Sequence, residues 1–334
     1  MARVAINGFG RIGRGFMRAV QARAGIEVVA VNDLTSPENL AYLLKYDSVY
    51  GRAPFSVSAA KKALVVAGKN IPVISERDPA KLPWKDMNID IVLESTGFFT
   101  DAAKAHAHID AGAKKVVISA PGKGEGFETV LIGANEQKFG TCDITSNASC
   151  TTNAASPIVG VLDEAIGIER AVLSTTHGYT ASQSLVDSPS MKDMKEGRAA
   201  ALNIVPTSTG AATATALAYP QLKGKFDGIS LRVPVPAGSM VDVTFVSKRP
   251  TNVDEVNSAL KAAAQSDKWK RVFAVTEESL VSTDILGLPY GSIADLNMTR
   301  VVDGTLVKVL AWYDNEMGYV HTLVEHVAAV AGKI

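Results

Sequence analysis

The chain is short of cysteine, of net charge and of long apolar runs. Its only cysteines, Cys142 and Cys150, lie close together in 334 residues, which is no disulfide framework and points to a reducing, intracellular setting. Lysine plus arginine balances aspartate plus glutamate at 34 each. That balance removes the general electrostatic case for nucleic acid or an anionic membrane as the main partner. No stretch approaches ~18 uninterrupted apolar residues, and the N-terminus runs into a strand-like Arg3–Asn7 with no apolar signal segment. A cytoplasmic protein is therefore expected. Five scattered histidines offer no metal-ligand spacing, so no metal is expected. There is no internal repeat and no low-complexity linker.

What is present begins with length, which predicts two domains. Val4–Ile6 leads into Gly8-Phe9-Gly10-Arg11-Ile12-Gly13, then into Phe16, Val20 and Ala24 at helical spacing. Strand, Gly-x-Gly-x-x-Gly and helix in that order suit a pyrophosphate, because glycines let the backbone approach it at the positive end of a helix. Alone the glycine pattern is weak. Here a second strand-like run, Ile26–Val31, ends at Asn32-Asp33, twenty residues past Gly13, where a carboxylate accepts from a ribose diol and repels a 2′-phosphate. That predicts dinucleotide binding, with NAD favoured over NADP.

Further strand-like runs at Leu64–Val66, Ile89–Glu94, Lys115–Ile118 and Thr129–Ile132, with a helix-like 101–111 among them, predict a doubly wound, mostly parallel sheet of Rossmann type. Ser95-Thr96-Gly97 and Ser119-Ala120-Pro121 fall at strand ends, where either ordinary turn chemistry or a cofactor edge fits. Beyond residue 150 the pattern changes. Runs at Ala171–Thr176, Gly228–Val235, Met240–Val246, Asp295–Val302 and Leu306–Tyr313 fall among fewer helices (252–264 and 316–331), which predicts an α+β domain with a largely antiparallel sheet. The expected fold class is thus α/β with two domains, residues 1–149 binding the dinucleotide and 150–315 holding the chemistry.

Thr145–Asn153 is the chemically loaded stretch. A strand-like Cys142–Thr145 precedes it, and Ala155, Ile158, Val161 and Leu162 follow at helical spacing, so Cys150 is expected near a strand-to-helix junction. A helix N-terminus favours a thiolate there, and Ser149, Thr151, Thr152 and Asn153 suit an anion. A buried structural cysteine is the plain alternative. His177 ends the strand-like Ser174–His177, where a histidine taken alone is more often structural than catalytic. Thr207-Ser-Thr209-Gly210 and Arg232 offer hydroxyls, backbone N–H groups and a guanidinium to phosphate, or serve as a helix cap and a surface ion pair. Gly178–Leu202 is long, polar and weakly periodic, the mark of a functional or disordered loop.

Ser-Asn-Ala-Ser-Cys150-Thr-Thr-Asn resembles the active-site signature of the phosphorylating glyceraldehyde-3-phosphate dehydrogenase family, and the similarity runs from Arg3 to the C-terminal segment. The resemblance implies Cys150 as nucleophile and His177 as its catalytic partner. An imidazolium beside Cys150 would lower the thiol pKa, and the imidazole would take a proton as hydride leaves. It implies that Gly8, Phe9, Gly10, Arg11, Ile12, Asp33, Arg77, Ser95, Thr96, Gly97 and Ser119 attend NAD. In Trp312-Tyr-Asp-Asn315-Glu-Met-Gly-Tyr319, Asn315 would hold the nicotinamide carboxamide and Tyr319 would pack beside the ring. Thr180, Ser182 and Arg232 would bind the phosphate of glyceraldehyde 3-phosphate, and Ser149, Thr151, Thr209 and Gly210 inorganic phosphate. Residues 316–334 would pack back on the nucleotide domain, and Gly178–Leu202 would lie between subunits of a homotetramer.

The chain departs from the family's common pattern at Ala154, at Met194-Lys195-Glu196, at Thr213 and at Ala237-Gly238. These bear on subunit interfaces and anion pockets rather than on the reaction. Two other functions stay open at this point: erythrose-4-phosphate dehydrogenase, which passes its thioester to water, and a non-enzymatic NAD- or RNA-binding protein, against which the neutral charge argues.

Overall fold

The structure is a computed structural model and describes every residue but Lys192. Contacts divide the chain into two units. The first comprises Met1–Val130, Glu136–Ala148 and Leu323–Ile334, the second Leu131–Asn135 and Ser149–Thr322.

The first unit is built on a nine-stranded sheet. Its centre is parallel, with Ala2–Asn7 between Ile26–Asn32 and Ile91–Glu94, and Lys115–Ile118 beyond. Strands buried on both faces read as continuous apolar runs. Ile91, Val92 and Leu93 are accordingly fully buried, as are Val4, Ala5 and Ile6, each Val or Ile stabilising by about 1.5–3 kcal/mol. One edge is an antiparallel meander, Val57–Ala60, Ala63–Val66 and Lys69–Ile74. The helix-like 101–111 resolves into two short helices, Ala102–Ala105 and Ala107–Asp110, with Asp101 capping the first. The first helix, Arg11–Val20, stops before Ala24. Its chain turns there through Gly25, whose φ of +89° suits glycine.

The second unit carries a seven-stranded sheet in the order Val205–Ser208, Phe226–Val233, Ile168–Gly178, Ser239–Ser247, Leu306–Tyr313, Ser292–Val302 and Phe273–Thr276. Two neighbouring pairs are parallel and the others antiparallel. On Ser239–Ser247 burial alternates residue by residue, the period-two signature of a sheet with one covered face. Helix Cys150–Ala165 buries Thr151 through Leu162 without interruption. Helix Val253–Gln265 starts where Asn252 accepts a hydrogen bond from the Glu255 N–H at 2.9 Å. Among the described residues no helix is long and apolar enough to cross a membrane.

Several elements escape the sequence pattern, among them helix Pro37–Lys45, strand Val57–Ala60 and the four that follow. Lys69–Ile74 carries Pro72 on the meander, Val205–Ser208 carries Pro206, Phe273–Thr276 has only four residues, and Ala211–Ala218 is almost uniformly small and lacks a polar face. The expected strand Thr129–Ile132 is shorter, Glu128–Thr129.

The glycine loop generates a clean test. A Cβ on Gly13 would stand 2.3 Å from the Gly8 carbonyl oxygen, whereas one on Gly10 meets nothing within 4 Å. Gly13→Ala should destabilise the chain by about 1–3 kcal/mol and Gly10→Ala by under about 1 kcal/mol, read as urea unfolding midpoints. Equal midpoints for the two variants would contradict this packing.

Candidate active site

In the first unit the strand Ala2–Asn7 ends at Gly8, whose φ is +91° and whose Cβ, if it had one, would lie 2.7 Å from the Thr96 nitrogen. Only glycine lets the two loops approach so closely. Gly10 precedes the helix without a capping side chain, so no side chain at the cap position competes with an anion for the helix start. Phe9 is buried, and its N–H donates to Asp33 Oδ2 at 2.8 Å, while the Thr35 N–H donates to Oδ1 at 2.9 Å. The Asp33 carboxylate is therefore fixed against the glycine loop with acceptor capacity to spare for a diol. Arg11 forks onto Asp47, so its side chain faces that carboxylate, and Ile12 follows it in the first helical turn.

A cavity of about 570 Å³ opens over these strand ends, lined by Gly8, Gly10, Asp33, Leu34, Arg77 and Thr96 among others. Ser95 Oγ donates to the Gly8 carbonyl at 2.7 Å, and Ser119 N–H to the Glu94 carbonyl at 2.9 Å. Gly97 has φ +76° and open space where a Cβ would be. Glycines without side chains, an uncapped helix start and a held carboxylate in one cavity fit a dinucleotide: pyrophosphate at the helix, diol at Asp33.

In the second unit Cys150 opens helix Cys150–Ala165. Ser149 caps it, its Oγ accepting from the Thr152 N–H at 3.1 Å. Cys150 Sγ lies 3.4 Å from His177 Nε2. The histidine is placed by register: Ile168–Gly178 and Phe226–Val233 run parallel with His177 opposite Arg232. Arg232 Nη1 stands 2.7 Å from His177 Nδ1, and the Gly178 carbonyl 2.6 Å from the same nitrogen. Nδ1 thus faces one donor and one acceptor and serves one of them at a time.

These neighbours decide the charge state. Burial, then the Arg232 cation, pushes the His177 pKa down to about 4. Burial also pushes the Cys150 thiol up, opposed by Arg232 and by hydrogen bonds from Thr151. The ligand-free pair is therefore a thiol beside a neutral imidazole. An imidazolium, expected from the sequence, is disfavoured first by burial of the ring and then by the positive charge of Arg232 beside it.

Two partners were missed by the sequence reading. Tyr313, fully buried, bridges Thr151 Oγ1 at 2.9 Å and Thr175 Oγ1 at 2.7 Å, with its ring edge-on to His177. Its signal was its inward position on a period-two strand. Ser239 accepts from the Gly178 N–H at 3.1 Å and donates to Asn315 Oδ1 at 2.8 Å. Asn315 is thereby oriented from the histidine strand, and Tyr319 is buried close by in sequence.

The phosphate candidates are only partly assembled. Thr180 Oγ1 and Ser182 Oγ pair at 3.0 Å on one turn, two residues past the His177–Gly178 strand end. Thr209 Oγ1 accepts from the Ala211 N–H at 3.2 Å, and Gly210 starts helix Ala211–Ala218, so the capping role and the anion role coincide there. Arg232 Nε is buried without a partner. From Gly178 to Leu202, Lys192 aside, the loop forms one regular turn, Met194–Gly197, capped by Asp193.

A dinucleotide cavity on one unit and a half-buried cysteine beside a buried histidine on the other define the class, a nicotinamide-dependent dehydrogenase with a candidate cysteine nucleophile. Residues 2–102 match the family model described as "Glyceraldehyde 3-phosphate dehydrogenase, NAD binding domain", and residues 149–315 that described as "Glyceraldehyde 3-phosphate dehydrogenase, C-terminal domain". The chain is 51% identical to the glyceraldehyde-3-phosphate dehydrogenase of Mycobacterium avium over 98% of both chains, and 49% identical to that of Streptomyces coelicolor over 99% of both. The chain belongs to the glyceraldehyde 3-phosphate dehydrogenase family and is an NAD-dependent oxidoreductase.

The charge state is directly measurable. Since His177 is depressed when folded, the unfolded chain takes up a proton below its ordinary pKa of about 6.5 that the folded chain refuses until about pH 4. Stability should fall over that window, and less steeply in His177→Asn. By NMR, the ring signal lost in His177→Asn should show no protonation step between pH 8 and about 5.5 in the ligand-free enzyme; a step near 6.5 would contradict the assignment.

Proposed function

We propose that this chain oxidises glyceraldehyde 3-phosphate with NAD and inorganic phosphate, giving 1,3-bisphosphoglycerate and NADH, through a thioester on Cys150. The observation that carries this reading is the contact of Cys150 Sγ with His177 Nε2 at 3.4 Å, at a helix start, with Arg232 on the other ring nitrogen. When the substrate phosphate engages the Arg232 guanidinium, Nδ1–H is left to the Gly178 carbonyl, and Nε2 then presents a lone pair to the thiol. His177 takes the thiol proton and Sγ forms a bond to the aldehyde carbon. The carbonyl oxygen takes that proton back, giving a hemithioacetal. His177 next takes the hydroxyl proton as the C–H electron pair leaves as hydride.

Bound NAD supplies the hydride acceptor. Asn315, with Oδ1 already accepting from Ser239 and Gly238, keeps its amide N–H groups for a carboxamide oxygen. Phosphate, held by Ser149, Thr151, Thr209 and Gly210, attacks the thioester carbon. The C–S bond breaks and Cys150 returns. Oxidation energy is thereby retained in an acyl phosphate instead of being lost to hydrolysis.

Association into a homotetramer belongs to the same reading. It is supported by apolar side chains left open on the second sheet and on the long loop, among them Val172, Ile229, Val302, Leu185 and Leu202. A cytoplasmic location accords with two free cysteines.

The reading is tested by steady-state NADH production from glyceraldehyde 3-phosphate and from erythrose 4-phosphate, with phosphate varied from zero. Turnover of the three-carbon aldehyde should rise with phosphate and saturate. Phosphate-independent turnover, faster with the four-carbon aldehyde, would overturn it in favour of water as acyl acceptor.

A further inference from the structure

At the floor of the cofactor cavity, with Asn7 and Asn32 in its lining, lies a row of polar side chains that the chemistry above does not use. Glu94, Asn7 and Asn32 are the last residues of three adjacent parallel strands, and they stand in register, Asn7 opposite both Asn32 and Glu94. All three are more than nine-tenths buried. Glu94 accepts on both oxygens: Oε1 from the Thr96 N–H at 2.8 Å and from the Thr96 hydroxyl, Oε2 from Asn7 Nδ2 at 2.6 Å and from His108 Nε2 at 3.2 Å.

The protonation of that histidine ring is fixed from behind. Trp84 Nε1–H can only donate, and it points at His108 Nδ1 from 3.0 Å. Nδ1 therefore carries the lone pair and Nε2 the hydrogen that Glu94 accepts. At the other end Asn7 Oδ1 accepts from Asn32 Nδ2 at 2.7 Å. Asn32 also donates to the Glu76 carbonyl at 2.9 Å and accepts the Glu76 N–H at 3.0 Å. Thr96, held by Glu94, in turn accepts the Phe98 N–H at 3.0 Å.

Each terminus of this network is a cofactor loop. Asn7 precedes Gly8, Asn32 precedes Asp33, Thr96 approaches the place of a Gly8 side chain, and Glu76 precedes Arg77. We infer that Glu94 and His108 are positioning residues for NAD: one buried acceptor, saturated by four donors, locks the ends of three strands into the arrangement the dinucleotide meets. The inference rests on the reading that the cavity above Gly8 and Asp33 holds NAD.

Glutamine cannot replace Glu94. Whichever way it turns, its NH2 faces a group that can only donate, the Thr96 N–H on one side or Asn7 Nδ2 with His108 Nε2 on the other. Asn7→Asp fails for the opposite reason, setting two carboxylate oxygens against each other. The two changes together repair the network. In Asn7→Asp/Glu94→Gln, the glutamine oxygen accepts from Thr96, its NH2 donates to the aspartate, and the aspartate also accepts from Asn32 and His108, whose Nε2 is 3.4 Å from the position 7 nitrogen.

The experiment is a fluorescence titration of NAD, with the KM for glyceraldehyde 3-phosphate measured alongside. Each single variant should weaken NAD binding about tenfold or more and move the aldehyde KM less than about twofold, while the double variant should return to within about threefold of wild type. Wild-type affinity in Glu94→Gln, or a double variant no tighter than the weaker single, would overturn the inference. Should a single variant not fold, Trp84→Phe carries the test. It removes only the donor that fixes His108, and weaker NAD binding without a matching change in aldehyde KM supports the role, whereas unchanged binding overturns it. Asp33→Ala is the control for the cavity. If it weakens NAD while the network variants do not, the network reading alone fails; if it too binds NAD as wild type does, the cavity reading fails with it.

Discussion

The parallel register of Ile168–Gly178 with Phe226–Val233 is the constraint on which the chemistry depends, because it sets Arg232 directly opposite His177. A guanidinium 2.7 Å from Nδ1 makes a second cation on the ring costly in a buried site, where charge repulsion is weakly screened. Together with burial, the larger effect, it keeps the imidazole neutral; in the proposed reaction Nε2 becomes a base once the substrate phosphate engages Arg232. Were Phe226–Val233 one residue out of register, Arg232 would point to the other face of the sheet, and His177 would lose the guanidinium beside Nδ1.

The same economy recurs in the first unit, where a carboxylate rather than a cation is the buried group. Four donors converge on Glu94, and such a site tolerates no mismatch of donor and acceptor. Both units thus set a polar group near the end of a strand. Strand ends are rigid enough to place it, and they lie at the carboxyl edge where parallel sheets bind ligands.

Much of this was legible in the chain. The glycine loop, Asp33, and Cys150 at a helix start could be read because each depends on local geometry: a turn needing positive φ, a strand end, an N-cap. The two-domain α/β class followed from the change in run pattern near residue 150. What lay beyond the sequence was long-range. Nothing local couples His177 to Arg232, Tyr313 to Thr151 and Thr175, or Trp84 through His108 to Glu94, since those contacts span 14 to 162 residues. The neutral state of His177 was hidden for the same reason, because it is set by burial in the folded chain and by a neighbour 55 residues away. Short elements such as Ala211–Ala218 and Lys69–Ile74 were hidden differently: tertiary packing holds them where propensity and periodicity are weak.

The central claim is that Cys150 carries the acyl group, and mass spectrometry of the trapped enzyme tests it most directly. Enzyme, NAD and glyceraldehyde 3-phosphate, mixed without inorganic phosphate and quenched in acid, should yield a peptide containing Cys150 heavier by one 3-phosphoglyceroyl group, while the Cys142 peptide stays unmodified. The adduct should disappear when phosphate is added before the quench. NADH formed with no adduct on Cys150, or an adduct on Cys142 that turns over with phosphate, would contradict the account.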